Sequence, residues 1–221
     1  HPTLEATKAC VEAFGNVRQI SLAESDNYMG GALERLQIWR EVFTERVLPF
    51  NLSEDQDVRE AVIIGEKVSL SHALFKPHVR VSLHALGGLR GPGQVLYGSI
   101  LKNLLGIIPD IRKDRFHDKL DVALIDMMEA IGGLDLAVLD ATYTYYGKFE
   151  GGKPLNRIKT DLLIMGKDAV AVDAVGLALV GQNPTDILTL VEATRRGLGQ
   201  ANLKEVEILG ESIEDVRIEL P

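Results

Sequence analysis

The chain has 221 residues, enough for one large α/β domain, and its 46% hydrophobic and 25% charged residues place it among soluble globular proteins rather than disordered or membrane-embedded ones. No apolar run approaches the roughly 18 residues of a membrane span, and 24 basic against 32 acidic residues give a formal net charge of -8 that opposes binding to nucleic acid or anionic lipid. The single cysteine, Cys10, can neither close an intramolecular disulfide nor hold an iron–sulfur cluster, which points to a reducing cytoplasm.

The chain opens at His1-Pro2 with no initiator methionine and no signal-like segment, so an upstream piece is expected to be missing. Thr3 is a natural N-cap for a first helix, and Gly15 supplies a left-handed stop. Val17 to Ala23 reads as a strand that runs into Glu24-Ser25-Asp26. Two carboxylates then stand at the strand's C-terminal edge, where open α/β sheets bind ligands; the plainer reading is a solvated loop in which Asp26 caps the next turn. From Gly31 to Val47 the spacing of Ala32, Leu36, Trp39, Phe43 and Val47 predicts a helix with Trp39 in the core. Asn51 to Glu60 is acidic and aperiodic, a long surface loop.

Two similar strings, Val68-Ser-Leu-Ser-His72-Ala-Leu and Val81-Ser-Leu-His84-Ala-Leu, suggest paired strands, or a strand either side of a turn. Residues six apart on one strand lie about 20 Å apart, so His72, His78 and His84 reach a common metal only through a tight fold-back. The loop Gly87 to Gly93 has the glycines of an anion cradle, yet it lacks the lysine and hydroxyl residue of a P-loop and the third glycine of a dinucleotide fingerprint.

Val95 to Leu105 predicts a mostly buried helix whose remaining polar strip is Ser99, Lys102 and Asn103. A lysine there needs an acidic partner or a bound anion, unless it snorkels to solvent. Arg112, Lys113, Arg115 and His117 then form the densest positive stretch, suited to a carboxylate or phosphate. Asp118 to Ile131 reads as a helix, and Leu134 to Leu139 as a buried strand that delivers Asp140 to its C-terminal end. Thr142 to Lys153, aromatic and glycine-rich, suits a flap over a pocket or an ordered crossover loop. A strand at Asp161 to Met165 leads to Asp168, the N-cap of a helix from Ala169 to Val180. In that helix Asp173 shares a face with Ala169, Gly176 and Val180, where it pairs with a buried cation such as Lys102 or bonds a backbone amide. Asn183-Pro184 starts another helix, Gly197-Leu-Gly199 closes it, and Val206 to Leu209 reads as a last strand.

Lys102-Asn-Leu-Leu-Gly106 with Pro109 and Phe116-His117, then Leu136-Ala-Val-Leu-Asp140, Gly166-Lys-Asp-Ala-Val-Ala-Val-Asp173-Ala, Gly181-Gln-Asn-Pro184 and Gly197-Leu-Gly199 follow one another in a fixed order, and His1-Pro2 adds a His-Pro element. In this order the chain resembles the uncharacterised family catalogued as domain of unknown function 362. The resemblance implies an α/β domain and, in some members, an attached ferredoxin-like segment with iron–sulfur clusters. One cysteine leaves no such cluster in this chain, and Arg90-Gly91-Pro92 stands where the family carries a Lys-x-His pattern.

The fold expected is α/β, a mostly parallel or mixed sheet flanked by helices, in a single domain over residues 1–221. The function expected is that of a small-molecule enzyme or binding protein for an anionic ligand, a carboxylate or phosphate. Lys102, Asn103 and Arg115 hold the anion, His117 acts as general acid or base, and Asp140 or Asp173 orients the lysine or binds a divalent metal. The alternatives are a noncatalytic module that docks an iron–sulfur or other redox protein, and a structural subunit with a buried Lys102–Asp173 pair and no ligand.

Overall fold

Thr3 opens the first helix as its position predicts: its hydroxyl accepts the Ala6 N–H at 3.1 Å, and α1 (Leu4–Ala13) follows. The computed structural model describes residues 1–75, 78–89, 96–150 and 153–220. Gly15 ends α1 without the left-handed backbone expected of it; its N–H bonds the Glu12 carbonyl at 2.9 Å.

β1 (Ile20–Glu24) and β2 (Val47–Asn51) pair in parallel, with α2 (Ala32–Leu36) and a 3-10 segment, Gln37–Val42, between them. The single helix expected from Gly31 to Val47 is thus two short pieces, broken at Trp39 (φ -107°, ψ 19°), and Val47 belongs to a strand. The indole explains the break. Its N–H reaches the Pro2 carbonyl at 3.3 Å, its ring meets His1 edge-on at 5.4 Å, and Leu36, Val42 and Val47 close around it as a small core. The spacing identified the inward residues, but packing around Trp39 overrides helical continuity.

β3 (Val58–Ile63) and β4 (Glu66–Ser71) form a hairpin across Ile64-Gly65, whose φ values of 47° and 84° are those of a tight turn with two left-handed residues. A β-branched residue resists that conformation, and Asp126 helps hold it by accepting the Ile64 N–H at 2.7 Å. The long loop expected over Asn51 to Glu60 shrinks to residues 52–57. Charged residues on the solvent side of the hairpin hid the alternation.

The main sheet is mixed. β5 (Val81–Leu89), β6 (Leu96–Gly98), β7 (Leu136–Glu150) and β8 (Lys153–Gly166) lie in the order β6-β5-β7-β8, with β5 and β7 parallel and both outer pairings antiparallel. The His72 and His84 strings therefore sit in different sheets and do not pair. Asp140 lies inside β7, in register with Ala85, rather than at a strand end. The strand runs on because Thr142 to Glu150, read as a flap or crossover loop, pairs with β8; alternating threonine and tyrosine suits a pleated surface. A bulge falls in β8 between Lys159 and Leu162, where Asp161 has φ 51°, and a second in β7 at Gly147, φ 88°.

Helices α3 (Ile100–Asn103), α4 (Leu120–Ala130), α5 (Ala169–Leu179) and α6 (Leu188–Arg195) complete the fold. α5 rests on β7 and β8, α4 on α6 and β3, and α3 between α5 and β5. Ile100, Leu101, Phe116, Leu124, Ile125, Met127 and Leu139 are fully buried among them, each worth about 1.5–3 kcal/mol of transfer free energy. The strand expected at Val206 to Leu209 does not form: Leu209 is 85% exposed, and the tail rejoins the core through Ile213, Val216, Leu220 and buried Ile218, whose N–H bonds the Leu179 carbonyl at 2.7 Å. Of the glycine loop, Gly87 and Gly88 belong to β5, while residues 90–95 lie outside the described residues. No described helix is long and apolar enough to cross a membrane.

Candidate functional site

Four residues are too few for a helix to stabilise itself, and α3 exists because its free amides are met from outside. Ser99 is the N-cap: its hydroxyl accepts the Lys102 N–H at 3.1 Å and its carbonyl the Asn103 N–H at 3.1 Å. The two remaining amides, of Ile100 and Leu101, go to Asp173 of α5, one to each carboxylate oxygen at 2.8 and 2.9 Å. Asp173 is 3% exposed, and its carboxyl is raised to about 6 by burial, against the lowering effect of these bonds and the Ser99 hydroxyl. Of the two partners expected for Asp173, backbone amides are the ones it takes. It positions Lys102 through the helix rather than by pairing with it.

The helix so fixed carries Lys102 and Asn103 over β5. Lys102 Nζ and His117 Nε2 stand 3.5 Å apart at the surface. Asn103 Nδ2 donates to Ser82 Oγ of β5 at 3.1 Å. His84, two residues along the same strand, was weighed only as a metal ligand in the sequence. Its Nδ1 lies 2.9 Å from the Ala85 carbonyl, and its imidazole is pushed down to about 4, chiefly by burial and next by the His1 amino group, with the Lys102 charge a smaller effect in the same direction. Lys102 and His117 thus stand next to each other, while the side chain of Asn103 is taken up by Ser82.

The basic stretch divides. Lys113, which opens the 3-10 segment Lys113–Lys119 that carries His117, turns inward: 9% exposed, it donates to the hydroxyl of fully buried Ser25 at 2.5 Å. Ser25 Oγ in turn reaches the Gly106 carbonyl at 2.6 Å. Burial pushes the lysine down to about 8, with Glu24, Asp26 and Asp110 favouring the ammonium and Arg35 opposing it. Ser53 adds a second tie between the two layers, donating to the Pro109 carbonyl at 2.7 Å. Asp26 does cap α2, accepting the Ala32 N–H at 2.7 Å, and Glu24 lies 3.4 Å from Arg35. Arg115 is engaged by Glu66 at 3.1 Å and by Asp110, with its guanidinium 4.5 Å over the Phe116 ring.

Asp140 is 1% exposed and serves a different junction. Oδ2 accepts the Thr3 N–H and hydroxyl at 2.7 and 2.8 Å, and Oδ1 accepts the Thr142 N–H and hydroxyl at 2.9 and 2.6 Å. Burial alone would raise its pKa, yet these four bonds leave it below the ordinary carboxylate value. The six residues singled out in the sequence therefore do not share one ligand shell. Lys102 and His117 meet, Asn103 beside Lys102 bonds Ser82, Asp173 holds their helix from behind, and Asp140 and Arg115 bond elsewhere.

Two hollows among the described residues lie away from these side chains. One, of about 780 Å³, lies between the end of α5 and residues 203–217, and the other, of about 340 Å³, lies between β3 and α4. Among the described residues no group of three or more His, Cys, Asp or Glu side chains could hold a metal ion.

Two further motifs acquire a structural meaning. Asp168 caps α5 through the Val170 and Ala171 amides at 2.9 and 3.0 Å and also accepts the Gln200 N–H at 2.8 Å. Gly199 packs so closely on this cap that an added Cβ would overlap Asp168 Oδ1 and lie 2.7 Å from Val170 Cβ.

No curated protein and no solved structure matches the chain. A family model described as Domain of unknown function (DUF362) matches residues 4–178, which span α1 through most of α5 and include every residue of the Lys102 cluster. The chain belongs to this family.

Proposed function

We propose that this protein binds a small anion, a carboxylate or a phosphate, at Lys102 and His117, as a small-molecule enzyme or binding protein. The observation that carries this reading is the 3.5 Å approach of an ammonium and an imidazole nitrogen at the exposed end of an otherwise buried helix. One anionic oxygen bridging the two would accept from both and favour the imidazolium. Asn103, fixed on Ser82, holds the helix to the sheet beneath them. His117, an imidazole beside the ammonium, is placed to move a proton to or from a bound ligand. A reducing cytoplasmic setting fits the single cysteine.

The test is ligand-induced stabilisation. A ligand at a hundred times its dissociation constant adds about 2.7 kcal/mol to unfolding, so a thermal-shift series of small carboxylates and inorganic phosphate should raise the midpoint of the wild type and not of Lys102→Ala. Equal stabilisation of the two proteins would rule the reading out. Stabilisation by a ferredoxin alone would favour the docking module instead.

A further inference from the structure

We infer that this chain forms a two-fold dimer in which the open edge of β8 pairs antiparallel with the same edge of a second copy, centred on Ile164. The four strands of each main sheet then join in one continuous sheet.

β8 is bonded to β7 on one side, and among the described residues no strand lies along its outer side. From residue 162 to 166 its outward amides and carbonyls therefore meet no turn, cap or side chain of the described residues. Such a row is a template for a further strand. Leu162 and Ile164 pack on the main core, and the pleat turns Leu163 and Met165 to the other face, where they are 49% and 58% exposed. The left-handed turn at Asp161 ends this stretch on one side, and Asp168, the cap of α5, ends it on the other. A two-fold axis uses the same edge on both copies and closes, so the pairing stops at two.

The flanking charges select the register and the occupant. Centred on Leu163, the pairing sets Lys159 opposite Lys167 of the partner subunit, a like-charge contact that destabilises a sheet. Centred on Met165, it sets Leu163 against that same lysine. Centred on Ile164, it sets Leu163 opposite Met165 of the partner subunit and Asp161 opposite Lys167 of the partner subunit, and the two-fold repeats each contact. Asp161 bonds Lys159 through Oδ2 at 2.8 Å, whereas Lys167 is exposed and has no ion-pair partner among the described residues. The dimer supplies that lysine with a carboxylate across strands about 4.8 Å apart. The stretch Asp161-Leu-Leu-Ile-Met-Gly-Lys167 is thus complementary to itself read in reverse, which is why the occupant is a second copy.

Light scattering over a concentration series of the full chain tests the assembly, and paired charge substitutions test its register. The wild type should be a dimer. Leu163→Glu and Met165→Lys, both at exposed positions, should each raise the dissociation constant at least about tenfold with the circular dichroism of the wild type retained. Amides of residues 162–166 should exchange faster in either variant than in the wild type. Lys167→Glu, which lies past the strand and sets a like charge against Asp161 of the partner subunit, should weaken the dimer without altering the apolar contact. Leu163→Glu and Met165→Lys combined in one chain should restore the dimer, because only the register centred on Ile164 sets each glutamate opposite a lysine. A wild type that is monomeric throughout the series, a dimer that the single variants leave intact, or a combined variant that stays dissociated overturns the proposal.

Discussion

Asp173 holds the backbone N–H groups of Ile100 and Leu101 in a two-point grip at 2.8 and 2.9 Å, across more than seventy residues of sequence. The first turn of α3, and with it the direction of Lys102, is thus set by a carboxylate on α5. Removing it strands two buried amides, and bonds to a charged acceptor contribute about 1.5–3 kcal/mol each. Asp173→Ala is expected to lower unfolding stability by about 3 kcal/mol or more and to weaken any anion response dependent on Lys102, as urea unfolding and thermal shift will measure.

The same carboxyl gives a pH signature. Its pKa in the folded protein, about 6, lies above the ordinary 3.8, so the folded state binds the extra proton between those values. The stability it contributes is full below 3.8 and is lost as pH rises through 6. Asp173→Asn should remove this decline, so the stability difference between wild type and variant should change between pH 4 and pH 6.5; a constant difference would contradict it.

Lys113 should act in the opposite range. Its folded pKa, about 8, lies below the ordinary 10.5, so between them the unfolded chain binds more protons. Stability is expected to rise with pH from about 8 upward, and Lys113→Met should flatten the rise in denaturant unfolding at pH 7.5 and 9.5.

Asp140 carries a depressed pKa, and its four hydrogen bonds stabilise the folded state above the ordinary carboxylate range and fade as pH falls below it. In Asp140→Asn the amide nitrogen faces two donors. A loss of about 2–4 kcal/mol is expected at pH 6 and a smaller one in acid, checked by urea unfolding at both.

Gly199→Ala should be among the most damaging single-methyl additions in the chain. The new carbon would meet Asp168 and Val170 in the α5 cap, at a backbone φ of 154° that disfavours any side chain. A loss above about 3 kcal/mol, or failure to accumulate folded protein, is expected.

Features written within a few residues were legible in the sequence. Thr3 and Asp168 announce their helices, Asp26 its turn, and the spacing from Ala32 to Trp39 its buried side. What escaped was set by distant partners. Nothing near Asp140 names Thr3 as its donor, and nothing near Lys113 reveals that Ser25 draws it inward from a stretch that reads as a positive surface. The Lys102–His117 pair was visible because both lie in one short segment. Ser82, the partner of Asn103, was not, because a strand twenty-one residues earlier presents it.

The main sheet also ends in a way that concerns how copies of this chain meet. One outer strand, β6, has three described residues, and the other, β8, is interrupted where Asp161 takes its left-handed turn beside Lys159, 2.8 Å away. Leu163 and Met165, 49% and 58% exposed, lie just past that interruption, where a straight ribbon would invite a neighbour's backbone to zip alongside. A kinked, charged rim of this kind limits how many rungs a neighbouring strand could add beside these exposed apolar residues.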